Sequence, residues 1–356
     1  MNFSELYLNN KRAVTKTLSS LWCGETANDS QRAYVEQLMH IIDNIFAPEK
    51  AIPLVQCMNS YKSVHSVSVE EAKAMVGSLW TATYPPYEHQ YQSWNTLLNE
   101  TAPNGKPMSI CVTTGTGSGK TECFMMPLVY DLERSGKSGE VQALFLYPLN
   151  ALMDDQKARL EEQLRGTNLT YAVYNGDLPE SEPNPTDNSE EAKRLRRRIA
   201  QIRGEYEENG EIKYRFPKIL YTRKMVRNRR PNILLTNPTM LEYILLRGTD
   251  AKLIDAEKKS LKWIAIDETH TYTGAGAAEL ALLLRRVMLA FNVNPEDVHF
   301  ATSSATFSNS EPDSPQAAED ELKLREFISG ISGVRLEQVR VISGTRQGEH
   351  ELPKTP

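Results

Sequence analysis

The chain has 356 residues, of which 40% are apolar and 24% charged, and its formal net charge is -5. This composition is ordinary for a soluble globular protein, the length allows two domains, and the negative charge argues against a uniformly basic nucleic-acid coat. No apolar run approaches the roughly 18 residues that span a bilayer, and the N-terminus lacks a secretory pattern, so we expect a cytoplasmic protein without a membrane partner. The 4 cysteines show no C-x-x-C spacing, which favours neither zinc nor a disulfide framework.

The first 80 residues predict a mostly helical accessory region. They contain little glycine, and the stretch "SVEEAKAMVGSLW" begins with Ser68 and an acidic pair, which is typical of a capped helix start. No residue here indicates chemistry. We therefore expect residues 1–80 to be an accessory region that precedes a main domain over residues 81–356.

The stretch "VTTGTGSGKTECF", from Val112 to Phe124, combines three glycines with a lysine and a threonine just before an apolar run that could be helical. Gly115, Gly117 and Gly119 allow positive φ angles that bring backbone N–H groups near an anion, and the following helix points its N-terminus there. Lys120 would reach the β- and γ-phosphates, and the Thr121 hydroxyl would ligate Mg²⁺. The strict G-x-x-x-x-G-K-[ST] pattern has glycine where this chain has Thr114. The alternative is a glycine-rich loop without a ligand.

From about residue 105, short apolar runs alternate with helical stretches. The strand candidates are "SICVT", "QALFLYP", "LTYAVYN", "NILLTN", "WIAID" and "VHFATSS". This alternation is typical of an α/β fold, a parallel sheet with helices on both faces, whose ligands bind at the carboxyl ends of the strands.

Residues 178–230 interrupt that alternation with a charged insertion. Between Glu191 and Arg230 there are 14 Lys/Arg against 5 Glu and no Asp, although the whole chain is acidic. One interpretation is a solvated amphipathic helix with pairs such as Glu190–Arg194. The other is a basic arm in which Arg196, Arg197 and Arg198 contact nucleic-acid phosphates. The sequence leaves both open.

Two polar motifs follow apolar strand candidates. In "WIAIDETH", Asp267 would hold the Mg²⁺ shell and Glu268 would orient and deprotonate the attacking water, although a surface or capping role is the alternative. In "FATSSATF", Ser304-Ala305-Thr306 would hydrogen-bond the acidic loop and sense the γ-phosphate.

Together these motifs resemble the first RecA-like ATPase lobe of superfamily 2 helicases, the DEAD/DEAH-box class. The glycine loop is similar to motif I, in which the position of Thr114 is usually alanine. "DETH" is similar to motif II, with His270 in a coupling role, and Ser304-Ala305-Thr306 to motif III. "PYEHQ", ending at Gln90, resembles the adenine-reading Q motif. Phrases such as "YPLNAL" and "DETHTYTGAGAAELALLLRR" look closest to large bacterial helicases of DNA repair and phage defence. The resemblance covers roughly residues 84–345.

The resemblance implies residues for each part of the site. It implies ATP and Mg²⁺ as cofactors, catalysis by Lys120, Asp267 and Glu268, and metal binding by Thr121 and Asp267. Nucleic-acid contacts are implied in "YPLNALMDDQ" and "LLTNPTMLEY", at Pro148, Asn150, Thr236, Asn237 and Pro238. The implied cofactor contacts come from Gln90, Thr114, Gly115, Thr116, Gly117, Ser118, Gly119, Lys120, Thr121 and Glu122.

The implied activity is ATP-driven translocation on, or unwinding of, DNA, as a single strand or at duplex ends. Such enzymes hydrolyse ATP between two lobes, and the chain shows no arginine-glycine-rich motif VI. We therefore expect a second lobe in a longer parent chain or a partner protein, together with other defence-system subunits. The alternative is a regulatory subunit that binds ATP and nucleic acid without turnover. An unrelated P-loop transporter or kinase is disfavoured, because no transporter signature is present and a kinase would lack the Ser-Ala-Thr strand end.

Overall fold

The computed structural model describes residue 61 and residues 67–115, 117–304 and 314–344. The chain divides into two compact units, residues 1–59 and 60–356, and every described residue lies in the second. The predicted helical region therefore lies outside the described residues except for residue 61 and residues 67–80. Thr116, Ala305 and Thr306 lie outside them as well.

A seven-stranded parallel sheet forms the centre of the described unit. Its strand order is β3-β6-β2-β7-β8-β1-β9. The seven strands are β1 (Ser109–Thr113), β2 (Ala143–Leu146), β3 (Tyr171–Val173), β6 (Ile233–Thr236), β7 (Trp263–Ile266), β8 (His299–Ser304) and β9 (Val339–Ser343). The first six are the six strand candidates of the sequence, so the predicted α/β fold is confirmed.

Helices cover both faces of this sheet. The α-helices are α1 (Val69–Val76), α2 (Glu88–Asn99), α3 (Lys120–Ser135), α4 (Asn150–Gln163), α5 (Glu190–Arg203), α6 (Arg223–Arg229), α7 (Pro238–Leu246), α8 (Ala275–Ala290) and α9 (Pro315–Ser332). Buried residues of α3 and α4 pack with one set of strand side chains, and those of α7, α8 and α9 with the alternate set. Successive strand residues point to opposite faces, so a sheet with two apolar faces needs continuous apolar runs.

Side-chain caps fix where several helices begin. Ser68 and Glu71 form a reciprocal capping box at α1, as the sequence predicted, and Asn237 caps α7 through Met240 N. Helix α1 packs through Ala72 and Val76 in a small core with residues of α2 and α3. No described helix is both long and apolar enough to cross a membrane.

The structure adds two features that the sequence reading did not predict. Strand β9 extends the sheet beside β1. A two-stranded antiparallel hairpin, β4 (Glu205–Glu208) and β5 (Glu211–Tyr214), lies within the charged insertion. Its turn residues Asn209 and Gly210 both have positive φ angles, 56° and 79°. An Asn-Gly pair with these angles closes a hairpin tightly.

Candidate functional site

The glycine loop connects β1 to α3 at the carboxyl edge of the sheet. Gly117 and Gly119 have φ angles of 73° and 75°, and Gly119 is the residue at the N-terminal cap of α3. The N–H group of Gly115 donates to the Tyr61 hydroxyl at 2.8 Å. Two positive-φ glycines therefore shape the turn into the helix, and Gly115 contributes an N–H group.

Lys120 lies across this loop. Its Nζ donates to the carbonyl oxygens of Thr114 at 3.1 Å and of Ser304 at 3.4 Å. No carboxylate of the described residues lies within ion-pair distance of this ammonium group. Because no described carboxylate neutralises it, this half-buried ammonium group can form charge-assisted hydrogen bonds with an incoming anion. The contact also joins the ends of β1 and β8.

The first residues of α2 form hydrogen bonds with the glycine loop. The buried His89 ring donates from Nε2 to the Ser118 carbonyl at 2.8 Å, and burial lowers the pKa of His89. The buried Gln90 amide accepts from Tyr87 N at 3.0 Å through Oε1 and donates to the Gly119 carbonyl at 3.3 Å through Nε2. Gln90 thus contacts the glycine loop, and its role in reading adenine stays a prediction. His89 was not singled out from the sequence.

The two acids of "DETH" follow β7 at the same edge. The Asp267 Oδ1 accepts from Glu268 N at 3.1 Å and from the Ser303 hydroxyl. Glu268 has a positive φ of 52°, and its Oε2 lies 3.2 Å from His270 Nδ1. A non-glycine residue in this region indicates a backbone that its neighbours hold in place.

The acidic loop is tied to β8 through Ser303. Besides its hydroxyl contact with Asp267, Ser303 accepts from Glu268 N at 3.1 Å through Oγ, and its carbonyl accepts from Thr269 Oγ1 at 2.7 Å. Of the predicted Ser304-Ala305-Thr306, only Ser304 is among the described residues; its carbonyl accepts from Lys120, and its buried hydroxyl has no partner among the described residues. The described hydrogen bonds to the acidic loop come from the preceding residue, Ser303, and the role of the tripeptide stays a prediction.

These residues fit a nucleotide with Mg²⁺. A Cβ at Gly119 would collide with the Gln90 side chain, so glycine at this position lets Gln90 pack against the loop. The first turn of α3 presents Thr121, whose hydroxyl makes no hydrogen bond among the described residues, and Asp267 Oδ2 likewise has no described donor. The buried Glu122 Oε2 also has no described partner, while Oε1 lies 3.4 Å from Arg159 Nη1.

The residues expected to contact a nucleic acid lie in two neighbouring loops. Asn237 Nδ2 donates to Asn150 Oδ1 at 2.8 Å, which joins the beginnings of α7 and α4. Pro148 and Pro238 are half-buried beside them. Thr236 is buried, and its hydroxyl donates to the Tyr174 carbonyl at 2.8 Å, so this side chain fixes the loop from inside.

Two of the three singled-out arginines of the basic helix α5 make contacts inside this chain. Arg196 Nη2 donates to the carbonyls of Asn184 at 2.9 Å, Pro185 at 3.2 Å and Asp187 at 2.6 Å. Arg198 forms an ion pair with Asp177, and Arg197 is exposed. The predicted example pair Glu190–Arg194 is not formed. Glu190 instead pairs with Lys193 at 2.8 Å, with i,i+3 in place of i,i+4 spacing.

Two curated proteins are similar to this chain. The chain is 24% identical to the Druantia protein DruE of Escherichia coli (strain UMEA 4076-1), covering 96% of the chain and 23% of that protein. It is 27% identical to the uncharacterized ATP-dependent helicase YprA of Bacillus subtilis (strain 168), covering 63% of the chain and 23% of YprA. The chain thus spans about a quarter of the length of these curated relatives.

Among solved structures, the chain is similar to the DUF1998 helicase MrfA bound to DNA and AMPPNP. That similarity has a TM-score of 0.47 and 21% identity, and it covers 85% of this chain and 33% of the MrfA chain. The family model described as DEAD/DEAH box helicase matches residues 87–314, which include the glycine loop and both acids. The chain belongs to the DEAD/DEAH box helicase family.

Proposed function

We propose that this chain is the ATP-binding lobe of a helicase that translocates on or unwinds DNA by ATP hydrolysis, in bacterial genome defence or repair in the cytoplasm. The observation that carries the proposal is Lys120, a half-buried ammonium group without a described carboxylate partner, held between the ends of β1 and β8. Family membership supports the use of ATP. The MrfA structure, described as bound to DNA, supports DNA as the substrate. The setting in defence or repair rests on the sequence resemblance to large bacterial helicases.

The residues at the carboxyl edge of the sheet have separate roles in this proposal. The loop N–H groups and Lys120 bind the phosphates, Gln90 reads the base, and Thr121 with Asp267 would hold Mg²⁺, which supplies charge neutralisation when bound. Ser303 orients the Asp267 carboxylate through its hydroxyl. Glu268 accepts the proton of the attacking water, and its contact with His270 holds its carboxylate at the edge of the sheet.

Strand binding is proposed for the edge formed by Asn150 and Asn237. Two exposed or half-exposed amides lie there at the beginnings of α4 and α7, whose N-termini carry partial positive charge. Phosphate contacts of this kind do not depend on base sequence. They suit a motor that moves along a strand.

Turnover on this proposal needs a second lobe, in the parent chain or a partner. Such a lobe would supply an arginine to the transferring phosphoryl group, a contribution of about 10³–10⁵ in rate. It would also exclude water from the nucleotide.

The test is ATP turnover with and without single-stranded DNA, measured on the chain alone and on a version that includes a second lobe. We expect DNA-stimulated turnover only with the second lobe, and its loss in Glu268→Gln. Brisk, DNA-stimulated hydrolysis by the chain alone, at a rate per molecule independent of concentration, would refute the need for a second lobe. Nucleotide binding without turnover in both versions would favour the regulatory subunit.

A further inference from the structure

Tyr147 is a buried tyrosine whose hydroxyl has no described partner. It is the first residue after β2, its relative exposure is 1%, and its hydroxyl forms no hydrogen bond among the described residues. Its ring stacks on Phe145 with centroids 6.4 Å apart, which fixes where the ring lies. Buried polar groups are nearly always hydrogen-bonded to protein or to ordered water, so this hydroxyl is available as a donor to a bound group.

The strand register places Tyr147 beside the metal-binding acid. Leu146 is opposite Ile266 in the β2–β7 pair, and Ile266 is opposite Thr302 in the β7–β8 pair. The next residue along each strand is Tyr147, Asp267 and Ser303, respectively. These three residues therefore lie side by side across the ends of β2, β7 and β8. Asp267 N also donates to the Leu146 carbonyl at 3.0 Å, which continues the β2–β7 pairing to this point. Residues in such a row point to the same face of the sheet.

The charges around the hydroxyl agree with this placement. Burial, and next the Asp267 carboxylate, raise the pKa of Tyr147 well above its ordinary value, while Arg159 opposes the shift. Toward a carboxylate, whose oxygens only accept, this hydroxyl can act only as a donor. Asp267 has one oxygen available: Oδ1 accepts from Ser303 and Glu268, whereas no described donor reaches Oδ2.

We propose that Tyr147 is a positioning residue for the metal: its hydroxyl donates a hydrogen bond to the Asp267 carboxylate, or to a water that this carboxylate holds, once the metal–nucleotide complex is bound. The inference rests on the proposed function. Tyr147 and Ser303 then orient Asp267 from opposite sides, across β2 and β8. Ser303 contacts Asp267 in this structure, and Tyr147 adds its contact when the metal–nucleotide complex binds.

The test is Tyr147→Phe, which keeps the ring and removes the hydroxyl. Nucleotide affinity is titrated with a non-hydrolysable ATP analogue in Mg²⁺ and again in EDTA, and thermal unfolding is followed without nucleotide. We expect affinity in Mg²⁺ to fall about tenfold, since a hydrogen bond to a charged group is lost, and affinity in EDTA to stay unchanged. The unfolding midpoint should be unchanged or higher, because the variant removes an unsatisfied buried group.

Tyr171→Phe is the matched control. Tyr171 is also fully buried in the same sheet, but it lies on the edge strand β3 with its hydroxyl beside Glu161. We expect this variant to leave nucleotide affinity unchanged in both conditions.

Equal affinity of Tyr147→Phe and wild type in Mg²⁺ would overturn the inference. So would an equal loss in Mg²⁺ and EDTA, or a lowered unfolding midpoint, since these indicate a structural hydroxyl. Lys120→Ala, titrated in parallel, separates this failure from failure of the proposed function. If Lys120→Ala weakens binding and Tyr147→Phe does not, only the role of Tyr147 is refuted.

Discussion

Replacing Gly119 with alanine should destabilise the free protein through two separate effects. The first is the backbone, because φ is 75° and a residue with a Cβ in this region costs about 1–2 kcal/mol. The second is the collision of the new Cβ with the Gln90 amide. Displacing Gln90 breaks its contacts with Tyr87 N and the Gly119 carbonyl, worth about 0.5–1.5 kcal/mol each. The total loss of unfolding free energy is about 2–5 kcal/mol.

Gly117→Ala isolates the backbone effect. Gly117 has nearly the same φ, 73°, and no described heavy atom lies within 4 Å of the position that its Cβ would take. We expect this variant to lose only about 1–2 kcal/mol. Urea unfolding without nucleotide measures both variants under the same conditions.

A double-mutant cycle with Gln90→Ala tests the second effect directly. Once Gln90 is truncated, the Cβ at position 119 has nothing to displace, so the two substitutions should be non-additive by about 1–3 kcal/mol. Additivity within about 0.5 kcal/mol would refute the reasoning. So would equal losses in Gly119→Ala and Gly117→Ala.

Two further predictions concern His89 and the basic helix. Burial holds the pKa of His89 below its ordinary value of about 6.5, so the unfolded chain takes up the proton before the folded chain does. The free energy of unfolding therefore falls as pH drops through 6.5, by up to about 1.4 kcal/mol per pH unit. His89→Asn should flatten this fall in urea unfolding between pH 7.5 and 5, and an unchanged slope would contradict it. Arg196→Ala should lower the free energy of unfolding by on the order of 1 kcal/mol, because three backbone carbonyls lose their hydrogen bonds to the guanidinium group. Arg197→Ala should leave stability within about 0.5 kcal/mol, and it should lower the salt slope of DNA binding by about one only if α5 contacts the strand.

Long apolar runs made the sheet predictable. Strands buried on both faces, such as β2 and β7, are uninterrupted apolar segments. Strand β9 was missed because it lies at the edge of the sheet, where Arg340 and Ser343 are exposed. The hairpin was missed because its strands are rich in glutamate, although the Asn209-Gly210 pair indicates the turn.

The site was predictable where one short motif contains all its residues. The glycine loop and the acid pair each lie in one stretch, and family resemblance placed Gln90 against the loop. Contacts that depend on strand register were not predictable. Whether Ser303 or Ser304 faces the acidic loop depends on which face each occupies, and a one-residue shift reverses the answer. Tyr61 reaches Gly115 across 54 positions of sequence, with no motif to indicate it.

Nucleotide affinity of Lys120→Ala tests the central claim most directly, because it needs neither a second lobe nor DNA. The matched control is Lys137→Ala, since Lys137 lies just beyond the other end of the 16-residue helix α3, about 24 Å away, and lies 3.8 Å from Glu140. A titration with a non-hydrolysable ATP analogue and Mg²⁺ should show affinity lowered at least about tenfold in Lys120→Ala, since a charge-assisted contact is lost, and wild-type affinity in Lys137→Ala. Unchanged affinity in Lys120→Ala would contradict the assignment of the glycine loop as the nucleotide site.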